Sequence, residues 1–365
     1  AIILIVGSFA ITYFGLEKLG GFNELQLFAS QNVAQYALWR PLSDPDFPWL
    51  GILIASPIVG IWYWCTDQYI VQRTLAAKDL KSARRGALWG AFLKVWPVLI
   101  FLIPGLIGAA LFEKGLLIIS TGDNGKILGD HVFPAMVATL LPEGLRGLVV
   151  AGILAALMSS LSSLFNSTAT LFTFDVYKKL RPFASDKKLI QVGRIATLIV
   201  VILGLLWIPI MPLISKGGLY QYLQSVQSYL APPITAVFLL GLFNQRINNK
   251  GATWGLSLGF LLGMLKLLIQ AFFGAEKIAN PRFLAYVGDF NFLYFSGVLF
   301  LICSAIICIV SYLTTAPDLN NINGLTYQTI DRKLIRESWD RKDIIATGVI
   351  LTFVMTIYMY FSFWI

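Results

Sequence analysis

The stretch AGILAALMSSLSSLFNSTATLF, residues 151–172, gathers hydroxyl groups inside an apolar run. On a helix turning about 100° per residue, Gly152, Ala155, Ala156, Ser159, Ser160, Ser162, Ser163, Asn166, Ser167 and Thr170 fall on one side. Met158, Leu161, Leu164, Phe165, Ala169 and Phe172 fall on the other, and only Thr168 breaks the partition. A face of small residues lets a neighbouring helix approach closely. Adjacent serines also offer oxygen ligands to a hard cation such as sodium. The residues alone leave both readings open.

Three more apolar runs carry polar groups that are expensive at membrane depth and are functional candidates for that reason. In IWYWCTDQYIVQR, residues 61–73, an ideal wheel puts Trp64, Asp67, Gln68 and Gln72 on one arc and Trp62, Thr66, Tyr69 and Ile70 opposite. An aspartate at the centre of a span costs about 3 kcal/mol on insertion scales. The polar arc is therefore expected to face the bundle interior, with Asp67 as a hydrogen-bond hub or a substrate contact. Gly60 and the local polarity also allow an interrupted helix. In LYQYLQSVQSYLAPP, residues 219–233, Gln221, Gln224, Ser225 and Ser228 form a stripe beside Tyr222 and Tyr229. Amides and rings suit a neutral, polyhydroxylated ligand, and equally suit bonding between helices. Pro232 and Pro233 predict a break or kink soon after. In AFLKVWPVLIFLIP, residues 91–104, Lys94 either snorkels or faces a cavity, and Pro97 and Pro104 predict bends. Lys266 reads as structural.

The elements that must hold these groups are nine apolar stretches, at about 1–16, 49–72, 87–112, 145–174, 192–214, 219–243, 252–274, 293–315 and 344–365. In lipid only helices satisfy such backbones internally, so the chain reads as an all-α polytopic membrane protein. Composition agrees: 57% hydrophobic, 13% charged, mean hydropathy +0.74, against about 25% charged for soluble domains. Eighteen lysines and arginines fall on alternate connections, after the second, fourth and sixth stretches and before the ninth, against seven on the others: Lys18, Arg40, Lys114, Lys126, Lys216, Lys277 and Arg282. The excess marks the cytoplasmic side. These clusters hug span ends, so nucleic acid is not an expected partner; the lipid bilayer is. FPAMVATLL, residues 133–141, is too short to cross and reads as a short helix over the mouth of the protein.

One histidine, His131, and three cysteines supply no zinc or haem ligand set and no disulfide framework. No HExxH motif occurs, and the Gly-Asp pairs at 129–130 and 288–289 lie outside the spans; an intramembrane enzyme is not expected, nor an organic cofactor. The opening AIILIVGSFAITYFGL has no charged n-region. It reads as the inside of a span, with earlier helices missing, not as a signal peptide.

At these residues the chain resembles the sodium:solute symporter family, and within it the sodium/glucose cotransporters. The resemblance rests on WYWCTDQYIVQRTLAAK (62–78), LMSSLSSLFNSTATLFTFDVYKKLRP (157–182) and YLQSVQSYLAPPITAVFLL (222–240). It implies a bacterial-type, N-terminally truncated member in the cell (inner) membrane, with an inverted-repeat core of five plus five helices and alternating access. Residues 1–16 would be the last helix of the first repeat, 17–48 an extracellular connection, 49–244 the second five-helix repeat, and 245–365 peripheral helices. The implied ligands of the coupling ion, Na+, are the Ala156 carbonyl and the Ser159 and Ser160 hydroxyls. Lys94 and Gln224 match sugar contacts, Tyr63 the ring stacked under the sugar, and Trp64 its support. Gly60, Asp67, Gln68 and Gln221 are expected to stand behind these groups; Gly60 replaces an asparagine or threonine, and Gln221 an aspartate, of relatives. The implied activity is sodium-coupled symport of a neutral, glucose- or galactose-like sugar, with myo-inositol, sialic acid or another organic solute as alternatives.

Overall fold

Backbone N–H and C=O groups must find partners within each crossing segment, and the computed structural model answers with helices throughout. It describes residues 2–122, 127–211, 218–273 and 282–365. Lys126, Lys216 and Lys277, expected on the sparsely charged side, lie outside the described residues. Among the described residues, nine helices are long and apolar enough to cross a membrane: Ile2–Leu19, Trp49–Thr66, Leu80–Glu113, Glu143–Leu180, Asp186–Ile210, Leu219–Phe243, Asn249–Phe273, Phe292–Leu313 and Arg341–Ser362. They are called the first to ninth spans below. The chain divides into two compact units, residues 1–38, 87–210 and 348–365 in one and 39–86 and 211–347 in the other.

In the first unit, the first span is a spine whose small residues admit neighbours. A Cβ on Gly7 would lie 2.3 Å from Val149 of the fourth span, and one on Gly15 would lie 2.7 Å from Ile107 of the third. The short helix Val132–Leu140 exists as expected from sequence. It buries Val132 and Met136 against Gly108 of the third span, where a Cβ would come within 2.4 Å and 2.8 Å of them. The helix Phe22–Gln31 adds Leu25 and Phe28 to the same core, and Lys114 pairs with Glu24 at 2.5 Å.

In the second unit the sixth, seventh and eighth spans pack on one another and on the second. The seventh span carries Gly251, Gly255, Gly259 and Gly263 at four-residue intervals, all buried. Cβ atoms there would strike Ser311, Ile307, Cys303 and the Tyr229 carbonyl oxygen, at 2.0, 2.3, 2.5 and 2.3 Å. Such a stripe is how helices pack closely where lipid removes the hydrophobic driving force.

The sixth span shows no break at its double proline: Leu219–Phe243 is one helix that contains Pro232 and Pro233. A proline at 233 cannot donate to the carbonyl four residues before it, which is that of Tyr229. The backbone of Gly263 abuts that freed oxygen, a close approach that permits a weak Cα–H···O contact. Lys266 is structural, as its sequence context indicates. It is fully buried, and its ammonium donates to the carbonyls of Val287 and Gly288 at 2.8 Å each while facing the Tyr229 and Phe295 rings.

Basic residues at the start of the third span meet acidic ones at the start of the ninth. Arg85 pairs with Asp343 at 3.0 Å and Asp340 at 3.2 Å, Lys81 pairs with Asp340 at 3.2 Å, and Arg84 stacks 4.3 Å over Trp339. The hydrogen-bonded Lys81 ammonium holds the Asp340 carboxyl below the usual carboxylate range.

Candidate functional site

The second span does not run straight through its polar motif. Trp62–Thr66 form a widened π turn, a local insertion that frequently marks functional sites. The Asp67 N–H closes that turn on the Trp62 carbonyl at 3.1 Å, and the Thr66 hydroxyl donates to the same oxygen at 2.7 Å. Asp67 then turns extended (φ −71°, ψ 115°), and its Oδ1 accepts from the Tyr69 N–H at 3.1 Å. It is the N-cap of a new helix, Gln68–Leu75. The ideal wheel therefore fails past Trp62: Thr66 and Asp67 belong to the joint between two helices, not to opposite faces of one. Asp67 is tolerated because it serves backbone donors that the break leaves open.

This assigns the carboxylate a testable job. In the full-length protein, Asp67→Ala is expected to cost about 1 kcal/mol, the usual value of a lost cap. Asp67→Asn keeps a capping oxygen and is expected to melt within a degree or two of the parent. Thermal unfolding in detergent distinguishes them, and equal losses in both variants would contradict the capping role.

Around the break, the Tyr63 ring is half-buried and meets the exposed Trp64 edge-on, with centroids 5.6 Å apart and planes at 88°. Gln68 is half-buried at the first turn of the new helix. Among the described residues a Cβ on Gly60 would meet nothing within 4 Å, so the position has room for a larger side chain. One residue not singled out in the sequence fixes this region: Thr235 of the sixth span, fully buried, donates its hydroxyl to the Ile58 carbonyl at 2.8 Å. Its signal was a lone hydroxyl in an apolar segment two residues after the double proline.

The sixth-span stripe is divided by the fold. Gln221 donates to Asp46 at 2.8 Å. Tyr222, Ser225, Ser228 and Tyr229 are buried, with Tyr229 donating to Gln270 and Ser225 to the Tyr222 carbonyl. These two tyrosines are core, not a platform for a ligand. Gln224 alone remains half-buried with its amide unpartnered among the described residues.

Lys94, Ala156, Ser159 and Ser160 belong to the other unit. Lys94 is exposed, one turn before the third span changes at Pro97 into the π turn Val98–Leu102; Pro104 sits at the start of the next helical segment without breaking it. The fourth span is held at two places. Gly152 packs on Ile3 and Leu4 of the first span, and Ala169 and Thr173 face Gly193 of the fifth. Between them Ala156 is half-buried, and Ser159 and Ser160 are exposed. Their hydroxyls have no protein partner among the described residues, whereas the Ser163 hydroxyl donates to the Ser159 carbonyl at 3.1 Å. Neighbouring neutral oxygens of this kind suit a hard monovalent cation better than a soft metal.

Interrupted helices with polar side chains at membrane depth define the class: a multi-pass membrane protein of the transporter type. The chain belongs to the sodium:solute symporter family, which matches residues 1–259. It is 37% identical over 350 residues to mouse (Mus musculus) sodium/glucose cotransporter 4, covering 90% of this chain and 51% of that protein. It is also 37% identical to human (Homo sapiens) sodium/myo-inositol cotransporter 2, covering 90% and 52%. The chain thus spans about half the length of the curated relatives it matches. Its fold matches the substrate-bound, outward-open structure of a Na+-coupled sialic acid symporter with TM-score 0.63 and 22% identity, over 87% of this chain and 61% of that one.

Proposed function

We propose that the full-length protein couples entry of sodium to uptake of a neutral sugar or related polyol, by alternating access of an inverted-repeat core. The observation that carries the reading is the pair Ser159 and Ser160, two adjacent, exposed hydroxyls with no protein partner among the described residues. Sodium ligated there with the Ala156 carbonyl would favour the outward-open state. Tyr63, Trp64, Lys94 and Gln224 would contact the solute, and Gly60, Asp67, Gln68 and Gln221 would hold those contacts in place. Each sodium ion entering gains about 2.3 kcal/mol per 100 mV, enough for roughly a 50-fold solute gradient per ion.

Glucose-like and myo-inositol substrates stand level, because the relatives named for them match equally well. The exposed Lys94 ammonium leaves an acidic sugar as the other reading. Radiolabelled uptake into liposomes by the full-length protein, with and without a sodium gradient, tests the coupling. Competition by glucose, galactose, myo-inositol and sialic acid ranks the substrates. Uptake indifferent to the sodium gradient would overturn the proposal, and strong competition by sialic acid alone would replace the neutral substrate with an acidic one.

A further inference from the structure

The first unit holds a cavity of about 340 Å³ lined by residues of the third and ninth spans and the segment 35–38. Its third-span wall begins in the π turn Val98–Leu102 and continues through Ile103 and Leu106. The ninth span contributes Ile357, Tyr358 and Phe361 to the opposite lining. The basic ends of both spans lie far away. At 1.5 Å per residue, Val98 is about 20 Å along from Arg85 and Ile357 about 24 Å along from Arg341. The cavity therefore belongs to the membrane half remote from the basic clusters.

Its chemistry is that of an amphiphile site. Its wall is mostly aliphatic and aromatic, with the polar side-chain groups supplied by Gln35, Tyr36, Tyr358 and Trp364. Trp364 is among the lining residues, 7% exposed, with its indole Nε1 donor buried and without a hydrogen-bond partner among the described residues. The Trp364 carbonyl is occupied by the Gln26 amide at 2.7 Å, and its ring by Phe22 and Phe361, so the ring is fixed while its one donor stays unused. Buried donors left open are rare in folded proteins and indicate an acceptor that binds there. Tryptophans at a membrane boundary sit at headgroup level, where glycerolipid ester carbonyls also lie.

We infer that this cavity is a lipid site, taking one acyl chain of a glycerolipid from the surrounding bilayer, with an ester carbonyl accepting from the Trp364 indole. The site is separate from the residues assigned to solute and sodium and does not depend on that assignment.

The test uses the full-length protein purified in mild detergent. Native mass spectrometry reads retained glycerolipid in the parent, in Leu102→Trp and Leu106→Phe, which fill the cavity, and in Trp364→Phe, which removes only the donor. The parent is expected to keep one lipid, the filled variants to lose it at least fivefold, and Trp364→Phe to lose it partly. As a second measurement, phosphatidylcholine with brominated acyl chains is expected to quench the parent's fluorescence more than that of Trp364→Phe. Equal retention in all four proteins, equal quenching in the parent and Trp364→Phe, or retention of a sterol or detergent alone would each overturn the inference.

Discussion

Gly263→Ala is expected to destabilise the full-length protein by about 3 kcal/mol, at the upper end of overpacking costs, although glycine to alanine within a helix ordinarily stabilises by up to about 1 kcal/mol. The reason is local. The new methyl would lie 2.3 Å from the Tyr229 carbonyl oxygen and 3.1 Å from its carbon, and backbone atoms cannot swing aside as a side-chain tip does. The sixth and seventh spans would have to separate, uncovering the carbonyl that Pro233 leaves without its helical donor. Gly241→Ala on the sixth span is the control, since a Cβ there meets nothing within 4 Å. It is expected to melt at or above the parent temperature. Matching melting temperatures for the two variants would show that the spans are not in this contact.

The second large effect concerns ion coupling. In the full-length protein, Ser159→Ala with Ser160→Ala is expected to raise the sodium concentration for half-maximal uptake at least tenfold, about 1.4 kcal/mol of lost binding, while leaving the order of preferred solutes unchanged. With both serines as ligands in the proposed sodium site, removing the two oxygens would leave too few for a hard cation. Ser162→Ala, exposed on the same span, is expected to behave like the parent. Wild-type sodium dependence in the double variant would end the assignment. A change confined to solute preference would move these serines to the solute pocket.

Much of the fold was legible because nine runs of apolar residues have only one way to satisfy their backbones in lipid. The break in the second span was half visible. Gly60 and the polar cluster allowed it, but a wheel drawn at a constant turn angle cannot register the added residue of Trp62–Thr66. The double proline shows a related limit. Proline rules describe one helix, and they do not place Gly263 of the next span against the Tyr229 carbonyl that Pro233 leaves open. The glycines at 251, 255, 259 and 263 were in plain view as a four-residue repeat, which marks the face of the seventh span that packs closely on its neighbours. The Gln/Tyr stripe of the sixth span shows the limit of one-dimensional patterns: Gln221, Tyr222 and Tyr229 found partners in Asp46 and the core, and nothing in their spacing distinguished them from Gln224. The roles of Ala156, Ser159, Ser160, Tyr63 and Lys94 came through family resemblance, because periodicity alone left a packing face and an ion site equally open.

Asp67 has a mechanical consequence. A continuous rod must snap several ladder bonds before it bends, whereas the chain here is parted beforehand, and the exposed ends are already served by a carboxylate and a threonine hydroxyl. In the proposed transport cycle Gln68–Leu75 would pivot about Asp67 while both flanking coils stay intact. A gate on such a joint would be set by what leans on it, the Tyr63–Trp64 pair above all, more than by the stiffness of the helix that carries it.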